Sequence, residues 1–379
     1  MLLLLPPPGV SQFQPQRTLR ALQVTSDRGV HDMPLASNQL TEPSKVTLLD
    51  CTLRDGSYAV DFQFDEGFVT HLLSRLNDTP IRKVEIGHGI GLEAERSGIK
   101  AGNIGHYRWC EIADSTLTNT SWGMFAQPEF TRLDTVADLS DRGMSFVRVG
   151  MEPDRVADNL DYIERATDVC EEVYLNLMKT SATPADQLLD MLDGVTSSIT
   201  GVYVVDSYGA MLPEDVQRYV STVKERFPVV GFHGHDNLGL ANINSITAMQ
   251  AGATVVDGTL NGIGRGSGNA AIESLAGILK IREGDLFDYQ ELAKLAECCR
   301  VNMDVIREDR TMQVLGGVIG IHSGFFPLVE ELAAEYHTDP ARLMETAVVI
   351  AEQSPRKADF QIAASQIADQ ADLPNKVSV

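Results

Sequence analysis

The stretch VVGFHGHDNLGLANINSITAMQAGATVVDGTL, from Val229 to Leu260, joins two short apolar runs through a segment of helical length. The runs VVGFHGH and VVDGTL have the composition of strands, whereas apolar residues recur at helical spacing in the intervening ANINSITAMQA. A strand, a helix and a further strand in succession are typical of α/β proteins. The stretch therefore predicts one repeat of such a fold.

The same alternation of strands and helices runs through most of the chain. Six further strand candidates precede this stretch, and helical segments such as PEDVQRYVSTVKERF separate them: VTLLD, KVEIG, WGMFA, FVRVGM, VYLNLM and GVYVVD. Eight repeats are the number that closes a (β/α)8 TIM barrel, whereas an open doubly wound sheet normally stops sooner. We expect a barrel over residues 45–284, a small helical C-terminal domain over 285–379, and a mobile, proline-rich extension over 1–44.

Composition limits the possible functions. The 379 residues carry a formal net charge of -22, which argues against a broad surface for nucleic acid or anionic membranes. Five cysteines without paired zinc-site spacing favour a reducing cytoplasm over secretion. Four leucines before three prolines at the start do not match a signal peptide, and no run approaches the ~20 apolar residues of a membrane helix.

The first run ends in two histidines, His233 and His235, one residue apart. Side chains alternate along a strand, so both imidazoles project from the same face. Two such groups could bind a metal ion, or they could be ordinary polar side chains at a strand end. This stretch alone leaves both interpretations open.

Polar residues follow most of the predicted strands. In a barrel the carboxyl ends of the strands meet at one mouth, where the chemistry of such enzymes takes place. A carboxylate from Asp55 facing the two histidines would supply three ligands and leave positions open for a bidentate substrate. The remaining polar residues expected at the mouth are Arg54, Tyr58, Glu85, His88, Asn176, Lys179, Asp206, Ser207, Asn261, Arg265 and Asn269.

Three motifs, DCTLRDGSYAV, HGHDNLGLANINSI and GTLNGIGRGSGNAAIESL, resemble the signatures of a barrel superfamily of metal-dependent pyruvate aldolases and acyl-CoA condensing enzymes. The superfamily includes isopropylmalate synthase and HMG-CoA lyase. The resemblance extends over residues 45–369. The later MQVLGGVIGIHSGFFPLVEELAAEYHTDPARLMETAV is similar to the helical domain of the 4-hydroxy-2-oxovalerate aldolases, which favours the aldolase branch.

The resemblance implies roles for individual residues. Asp55, His233 and His235 would hold a divalent cation, with Mn²⁺ preferred and Mg²⁺, Co²⁺ or Zn²⁺ as alternatives, and Arg54 would stabilise the enolate oxygen. Asn269 is either a further metal ligand or a brace of the glycine-rich loop. The expected substrate-binding residues are His88, Asn176 and Ser207. The loop GIGRGSG follows the last strand rather than the first, which disfavours a dinucleotide-binding motif.

The chain departs from the aldolase pattern at two positions. The aldolases carry a histidine, their proposed general base, in RDGSHAV, where this chain has Tyr58. Their C-terminal domain contributes a tyrosine where this chain has His322. We interpret this as an exchange that keeps a His/Tyr pair and makes His322 the base. The alternative is that the two changes are unrelated and the base is lost.

These observations predict a carbon–carbon lyase that makes or cleaves a 4-hydroxy-2-oxo acid from pyruvate and an aldehyde. A Claisen-type synthase joining an acyl-CoA to a 2-oxo acid is the alternative, and a non-catalytic metal-binding partner protein is a third reading that Arg54 disfavours. A CoA-ester lyase lacks support because Ser267 stands near the place of the expected loop cysteine. The segment FFPLVEELAAEY could dock an acylating aldehyde dehydrogenase, form a homo-oligomer contact, or belong to the domain's own core.

Overall fold

Eight parallel strands close into a barrel in the order of the sequence, and β8 pairs with β1. The computed structural model describes residues 46–303, 305, 310–351 and 354–371. The eight predicted runs all form strands, which confirms the (β/α)8 barrel. They are β1 Thr47–Asp50, β2 Lys83–Glu85, β3 Ser121–Ala126, β4 Phe146–Met151, β5 Glu172–Leu177, β6 Gly201–Asp206, β7 Val230–Gly234 and β8 Val255–Gly258.

Helices cover the outside of the barrel. Their apolar residues pack with the outward-facing strand residues into the largest hydrophobic cluster of the described chain. A smaller cluster, including Leu49, Phe146, Tyr174 and Tyr203, fills the lower interior of the barrel. The helices of this layer are α1 Glu66–Asn77, α2 His106–Thr116, α3 Leu133–Asp141, α4 Leu160–Val169, α5 Leu188–Met191, α6 Pro213–Lys224, α7 Ala241–Gln250 and α8 Ile272–Glu283.

The helices after α8 divide between two cores. Helix α9, Tyr289–Asn302, buries Leu292 and Leu295 in the barrel's own cluster. The next four helices have a separate apolar core. They are α10 Arg310–Ile319, α11 Phe326–Glu335, α12 Pro340–Ile350 and α13 Lys357–Ala371. Packing thus assigns α9 to the barrel, although we expected the helical domain to begin at residue 285. The predicted extension over 1–44 lies outside the described residues.

The C-terminal helices contact the loops at the barrel mouth. Gln313 of α10 is buried, and its backbone oxygen accepts a hydrogen bond from Asn237, in the loop after β7. Its side-chain oxygen accepts a bond from Ser267, in the loop after β8, at 3.1 Å. Tyr208, in the loop after β6, bonds to Ser354 between α12 and α13 at 2.8 Å. These contacts hold the helical domain against the carboxyl ends of β6, β7 and β8.

The segment FFPLVEELAAEY contains the whole of α11 and one further residue at each end. Phe326, Val329 and Leu332 are buried in the core of the helical domain. Its apolar residues therefore serve the domain's own core. Within the described part of the chain, no helix is both long enough and apolar enough to cross a membrane.

Candidate active site

The chain turns sharply where β1 ends. A short 3-10 helix, Asp55–Val60, begins there and places Arg54 and Asp55 inside the mouth, both buried. The Arg54 guanidinium donates from Nε to Glu85 at 2.6 Å and from Nη1 to Oδ1 of Asp55 at 2.7 Å. These two bonds fix the orientation of the Arg54 guanidinium. The second oxygen of Asp55, Oδ2, accepts no hydrogen bond from the described residues.

Asp55, His233 and His235 offer three ligand atoms that lie within 4.8 Å of one another. His233 comes from the end of β7, and its Nε2 is 3.8 Å from Oδ2 of Asp55. Burial lowers the pKa of His235 to about 4, so this imidazole is neutral at pH 7. Burial alone would raise the pKa of Asp55, but Arg54 and the imidazoles outweigh it and hold the pKa below its usual range. A carboxylate oxygen and imidazole nitrogens suit a divalent cation.

A second group of potential metal ligands shares His233. Cys51, His233 and Asp257 also lie within ligand distance of one another. The guanidinium of Arg148 occupies the neighbourhood of this group, with Nη2 3.4 Å from the Cys51 sulfur and Nη1 bonded to Asp257. A cation in that place would face the positive charge of Arg148. The Asp55 group is therefore the better candidate.

Asn269 lies beside the metal-ligand group on the glycine-rich loop. An isolated antiparallel β-bridge pairs the backbone of Asn269 with that of His235. The Asn269 side-chain nitrogen, Nδ2, is 3.0 Å from Nε2 of His233. Its buried Oδ1 has no partner among the described residues. A Cβ built on Gly264 would collide with this oxygen and come within 3.0 Å of Oδ2 of Asp55, so Gly264 leaves both oxygens in one small space. In this position Asn269 suits either of its two expected roles, a fourth metal ligand or a brace of the glycine-rich loop.

A chain of buried charges runs beneath the candidate metal site. Arg148 of β4 has no exposed surface and donates to Glu85 and Asp257. Glu85 also accepts from Arg54, and Asp257 lies 2.8 Å from Nδ1 of His233. The network therefore joins Arg54 to His233 across the barrel interior. Glu85 was expected at the mouth, but Arg148 and Asp257 were missed; their only signal is a lone charged residue in the apolar runs FVRVGM and VVDGTL.

Tyr58 and His322 line the same cavity as Arg54 and the metal-ligand group. His322 lies in the loop after α10, where its Nδ1 accepts a hydrogen bond from the Gly324 backbone at 3.3 Å. Burial and the nearby Arg265 keep its pKa well below the ordinary value, so the imidazole is neutral and able to accept a proton. Burial raises the pKa of Tyr58, so its hydroxyl stays protonated.

Two of the three expected substrate-binding residues lie in this cavity, whose volume is about 620 Å³. Asn176 of β5 is buried with its Oδ1 unpartnered among the described residues, and Ser207 accepts the backbone N–H of Lys179 at 2.8 Å. His88 instead lines a smaller neighbouring cavity. It stacks on Phe62, with 4.1 Å between ring centroids, and contacts the Lys100 backbone oxygen at 2.9 Å.

The other polar residues expected at the mouth have different roles. Asp206 accepts hydrogen bonds from the backbone of Ala210 and Met211, and burial raises its pKa to about 6. Lys179 lines the cavity and pairs with Glu152 at 2.6 Å. Asn261 lies outside the cavity and is exposed.

The fold and the site together define a barrel enzyme of the carbon–carbon lyase class. The HMGL-like family model matches residues 45–305, and the chain belongs to this family. It is 37% identical over 260 residues to oxaloacetate decarboxylase of Mycobacterium tuberculosis, an alignment that covers 68% of this chain and 76% of the relative. It is 30% identical over 308 residues to 4-hydroxy-2-oxovalerate aldolase of Thermomicrobium roseum, covering 80% and 85%.

Solved structures support the architecture. The carboxyl transferase domain of Rhizobium etli pyruvate carboxylase matches with a TM-score of 0.68 at 15% identity, covering 87% of this chain and 61% of that one. HMG-CoA lyase of Bacillus subtilis matches with a TM-score of 0.58 at 20% identity, covering 72% and 98%. At these identities the likeness concerns the fold alone.

Proposed function

We propose that this protein is a metal-dependent aldolase that makes or cleaves a 4-hydroxy-2-oxo acid, with pyruvate and an aldehyde as the two smaller partners. The observation that carries the proposal is the shared cavity. It is lined by a group of three potential metal ligands, the fixed guanidinium of Arg54, the neutral imidazole of His322 and the protonated Tyr58. Similarity to 4-hydroxy-2-oxovalerate aldolases over most of the chain supports the same reaction.

The donor set fits a divalent cation because Oδ2 of Asp55 is a buried oxygen without a hydrogen-bond partner among the described residues. Asp55, His233 and His235 would hold the ion, with Mn²⁺ preferred over Mg²⁺, Co²⁺ and Zn²⁺, and Asn269 could complete the set. When bound, the ion supplies Lewis-acid catalysis at the 2-oxo group. Asp257 contacts Nδ1 of His233 and so orients the ring with Nε2 towards the ion position.

In cleavage, the unprotonated ring nitrogen of His322 accepts the proton of the C4 hydroxyl. The electron pair freed from the O–H bond forms the aldehyde C=O bond as the C3–C4 bond breaks. The pair of the C3–C4 bond forms a pyruvate enolate, and the proton taken by His322 returns at C3 to give pyruvate. Arg54 stabilises the negative charge on the enolate oxygen, and its bonds to Glu85 and Asp55 mean that it needs no reorganisation when that charge develops. Tyr58 orients His322 or relays the proton, while Asn176 and Ser207 position the substrate.

Decarboxylation of oxaloacetate is a second candidate function. It yields the same pyruvate enolate, with carbon dioxide in place of the aldehyde, and it requires a proton donor at C3 but no base at C4. The hydroxyl of Tyr58, which burial keeps protonated, suits that donor. The 37% identity to an oxaloacetate decarboxylase also favours this reaction.

We place the enzyme in a reducing compartment, the cytoplasm, because all five of its cysteines are free thiols in the structure. An acylating aldehyde dehydrogenase or a second copy of the chain remains our proposed partner for the helical domain. Since the apolar face of α11 lies in the domain's own core, such a partner would use another face.

The test is to incubate metal-loaded protein with pyruvate and a panel of aldehydes, and separately with oxaloacetate or with acetyl-CoA plus a 2-oxo acid. Formation of 4-hydroxy-2-oxo acids, abolished by chelation and by His233→Ala, would support the aldolase. Carbon dioxide release from oxaloacetate without aldol product would favour the decarboxylase, and thiol release from acetyl-CoA would favour the Claisen synthase. Absence of all three from the metal-loaded wild type would leave the non-catalytic reading.

A further inference from the structure

Arg265 is the cationic residue of the cavity wall for which the described residues provide no carboxylate. Three other cationic residues line the cavity, and each has an acidic neighbour: Arg54 pairs with Asp55 and Glu85, Lys179 with Glu152, and Arg155 with Asp158. Arg265 is half-buried and has no such ion pair within the described part of the chain. A partly desolvated guanidinium without an anion is costly, so its position calls for a ligand.

The guanidinium is held between the barrel and the helical domain. Its Nη1 donates to the Tyr58 hydroxyl at 3.4 Å, and its central carbon lies 4.8 Å from the centre of the Tyr58 ring. On the other side it approaches Gly324, where a Cβ would stand 2.2 Å from Nη2. The missing side chain of Gly324 therefore makes room for Arg265, and one contact with Tyr58 leaves most of its five N–H donors for other partners.

Arg265 lies at the aldehyde end of the site, an argument that rests on the proposed function. The base must reach the C4 hydroxyl, so the groups next to Tyr58 and His322 face the part of the substrate that becomes the aldehyde. The same hypothetical Cβ of Gly324 would be 3.2 Å from Nδ1 of His322, which puts Arg265 and His322 on one side of the cavity. Pyruvate, in contrast, belongs beside Arg54 and the metal ligands.

The cavity has room for an aldehyde larger than the shortest ones. Its volume of about 620 Å³ lies within the ~300–1,000 Å³ range of pockets that enclose drug-sized ligands, whereas pyruvate has only six non-hydrogen atoms. The remaining wall includes Gln127, Asn159 and Asn176, which are polar. Gln127 and Asn159 already donate to backbone oxygens, but an alkyl chain would offer no hydrogen-bond partner to Oδ1 of Asn176 or to the remaining N–H donors of Arg265.

We infer that the aldehyde substrate carries an acidic group, a carboxylate or a phosphate, and that Arg265 binds this group. A planar guanidinium matches the two oxygens of either anion with parallel hydrogen bonds. Hydrogen bonds to charged groups are worth about 1.5–3 kcal/mol, equivalent to roughly 10- to 150-fold in selectivity. The enzyme is therefore selective for acidic aldehydes over neutral aldehydes of the same length.

The test compares matched aldehyde pairs at saturating pyruvate. The pairs are 4-oxobutanoate with butanal, and glyceraldehyde 3-phosphate with glyceraldehyde, so that carboxylate and phosphate are distinguished. The quantity measured is the ratio of kcat/KM for the acidic and neutral members. We expect a ratio well above one for at least one pair, a loss of about 10- to 100-fold in Arg265→Gln, and partial recovery in Arg265→Lys. Arg218→Gln, which removes an exposed charge on α6, should keep the wild-type ratio.

Two outcomes overturn the inference. Equal acidic-to-neutral ratios of kcat/KM in the wild type and in Arg265→Gln would show that Arg265 does not bind the acidic group. An equal loss of kcat/KM for both members of a pair would mean that Arg265 acts through Tyr58 instead. Deuterium exchange at C3 of pyruvate in the wild type, measured without aldehyde, separates the two proposals. If pyruvate exchanges deuterium but the enzyme shows no preference for acidic aldehydes, only this inference is refuted. If neither deuterium exchange nor aldol product is detected, the proposed function is refuted together with it.

Discussion

Asp257 holds the His233 ring from behind, with its Oδ2 2.8 Å from Nδ1, while Nε2 on the other side of the ring faces Asp55 at 3.8 Å. A carboxylate in this position fixes both the tautomer and the orientation of a ligand histidine. The same carboxylate is bound to Arg148, whose other partner, Glu85, holds Arg54. The proposed metal ligand His233 and the proposed enolate-stabilising Arg54 are thus positioned by one continuous set of buried charges.

Replacing Asp257 with asparagine should weaken divalent metal binding about 10- to 100-fold, because His233 loses its charged support. Asp55→Asn should weaken metal binding further, and calorimetric titration with Mn²⁺ measures the affinity of both variants. Cys51→Ala serves as the control, since Cys51 belongs to the competing ligand group. Loss of metal from Cys51→Ala comparable to that from Asp55→Asn would place the ion in the other group.

Arg54→Lys should lower turnover about 100-fold or more while leaving the metal content intact. Lysine keeps the charge but cannot bond in two fixed directions to Glu85 and Asp55, as Arg54 does at 2.6 and 2.7 Å. Metal analysis and steady-state kinetics on one preparation separate the two effects. Unchanged turnover in the lysine variant would assign Arg54 a structural role.

His322→Ala should reduce aldol cleavage about 10²- to 10⁴-fold, the usual contribution of a general base, without abolishing pyruvate binding. The double change Tyr58→His plus His322→Tyr should recover part of the activity lost in either single change, because the two residues share one cavity and their effects are coupled. Rate constants for the four proteins form the cycle. If the losses of activation free energy in the two single variants add strictly in the double variant, Tyr58 and His322 do not act as a pair.

Burial gives Asp50 a pKa of about 7, raised from the ordinary 3.8, although the backbone and hydroxyl of Thr52 both donate to it. The folded state therefore keeps a proton that the unfolded state releases above pH ~4. The free energy of unfolding should fall as pH rises from about 4 to about 7, by at most ~1.4 kcal/mol per pH unit from this group, and then level off.

Asp50→Asn should remove this component, which urea denaturation with chelator at pH 5 and pH 7.5 can measure. The stability of the variant should change less between the two values than that of the wild type. Asp141→Asn, at an exposed position, should follow the wild type. Parallel curves for Asp50→Asn and wild type would mean that Asp50 is ionised in the folded protein.

The barrel could be predicted from sequence because each strand is a local feature, visible as a short apolar run between helical segments. The metal-ligand group was predicted for a related reason, since alternation along one strand puts His233 and His235 on one face. The charge network could not be found in this way. Arg148 meets Glu85 and Asp257 across 63 and 109 residues of chain, and only closure of the barrel brings them together.

His88 shows the limit of reasoning from strand ends. It follows β2 as expected, yet the loop turns its ring onto Phe62 and away from the cavity of the metal ligands. The domain boundary raises a similar difficulty, because the amphipathic pattern of α9 does not reveal which of two cores it joins. Its buried leucines pack with the barrel.

The contact of Gln313 with the loops after β7 and β8 means that the proposed proton acceptor reaches the site from a separately packed module. In the proposed reaction the groups that activate pyruvate all belong to the barrel, whereas His322 of this module joins Tyr58 and Arg265 of the barrel loops at the aldehyde end. Exchanging the C-terminal module between family members could therefore diversify products without redesigning enolate formation. Such modularity offers a route by which one barrel can acquire new carbon–carbon bond partners during evolution.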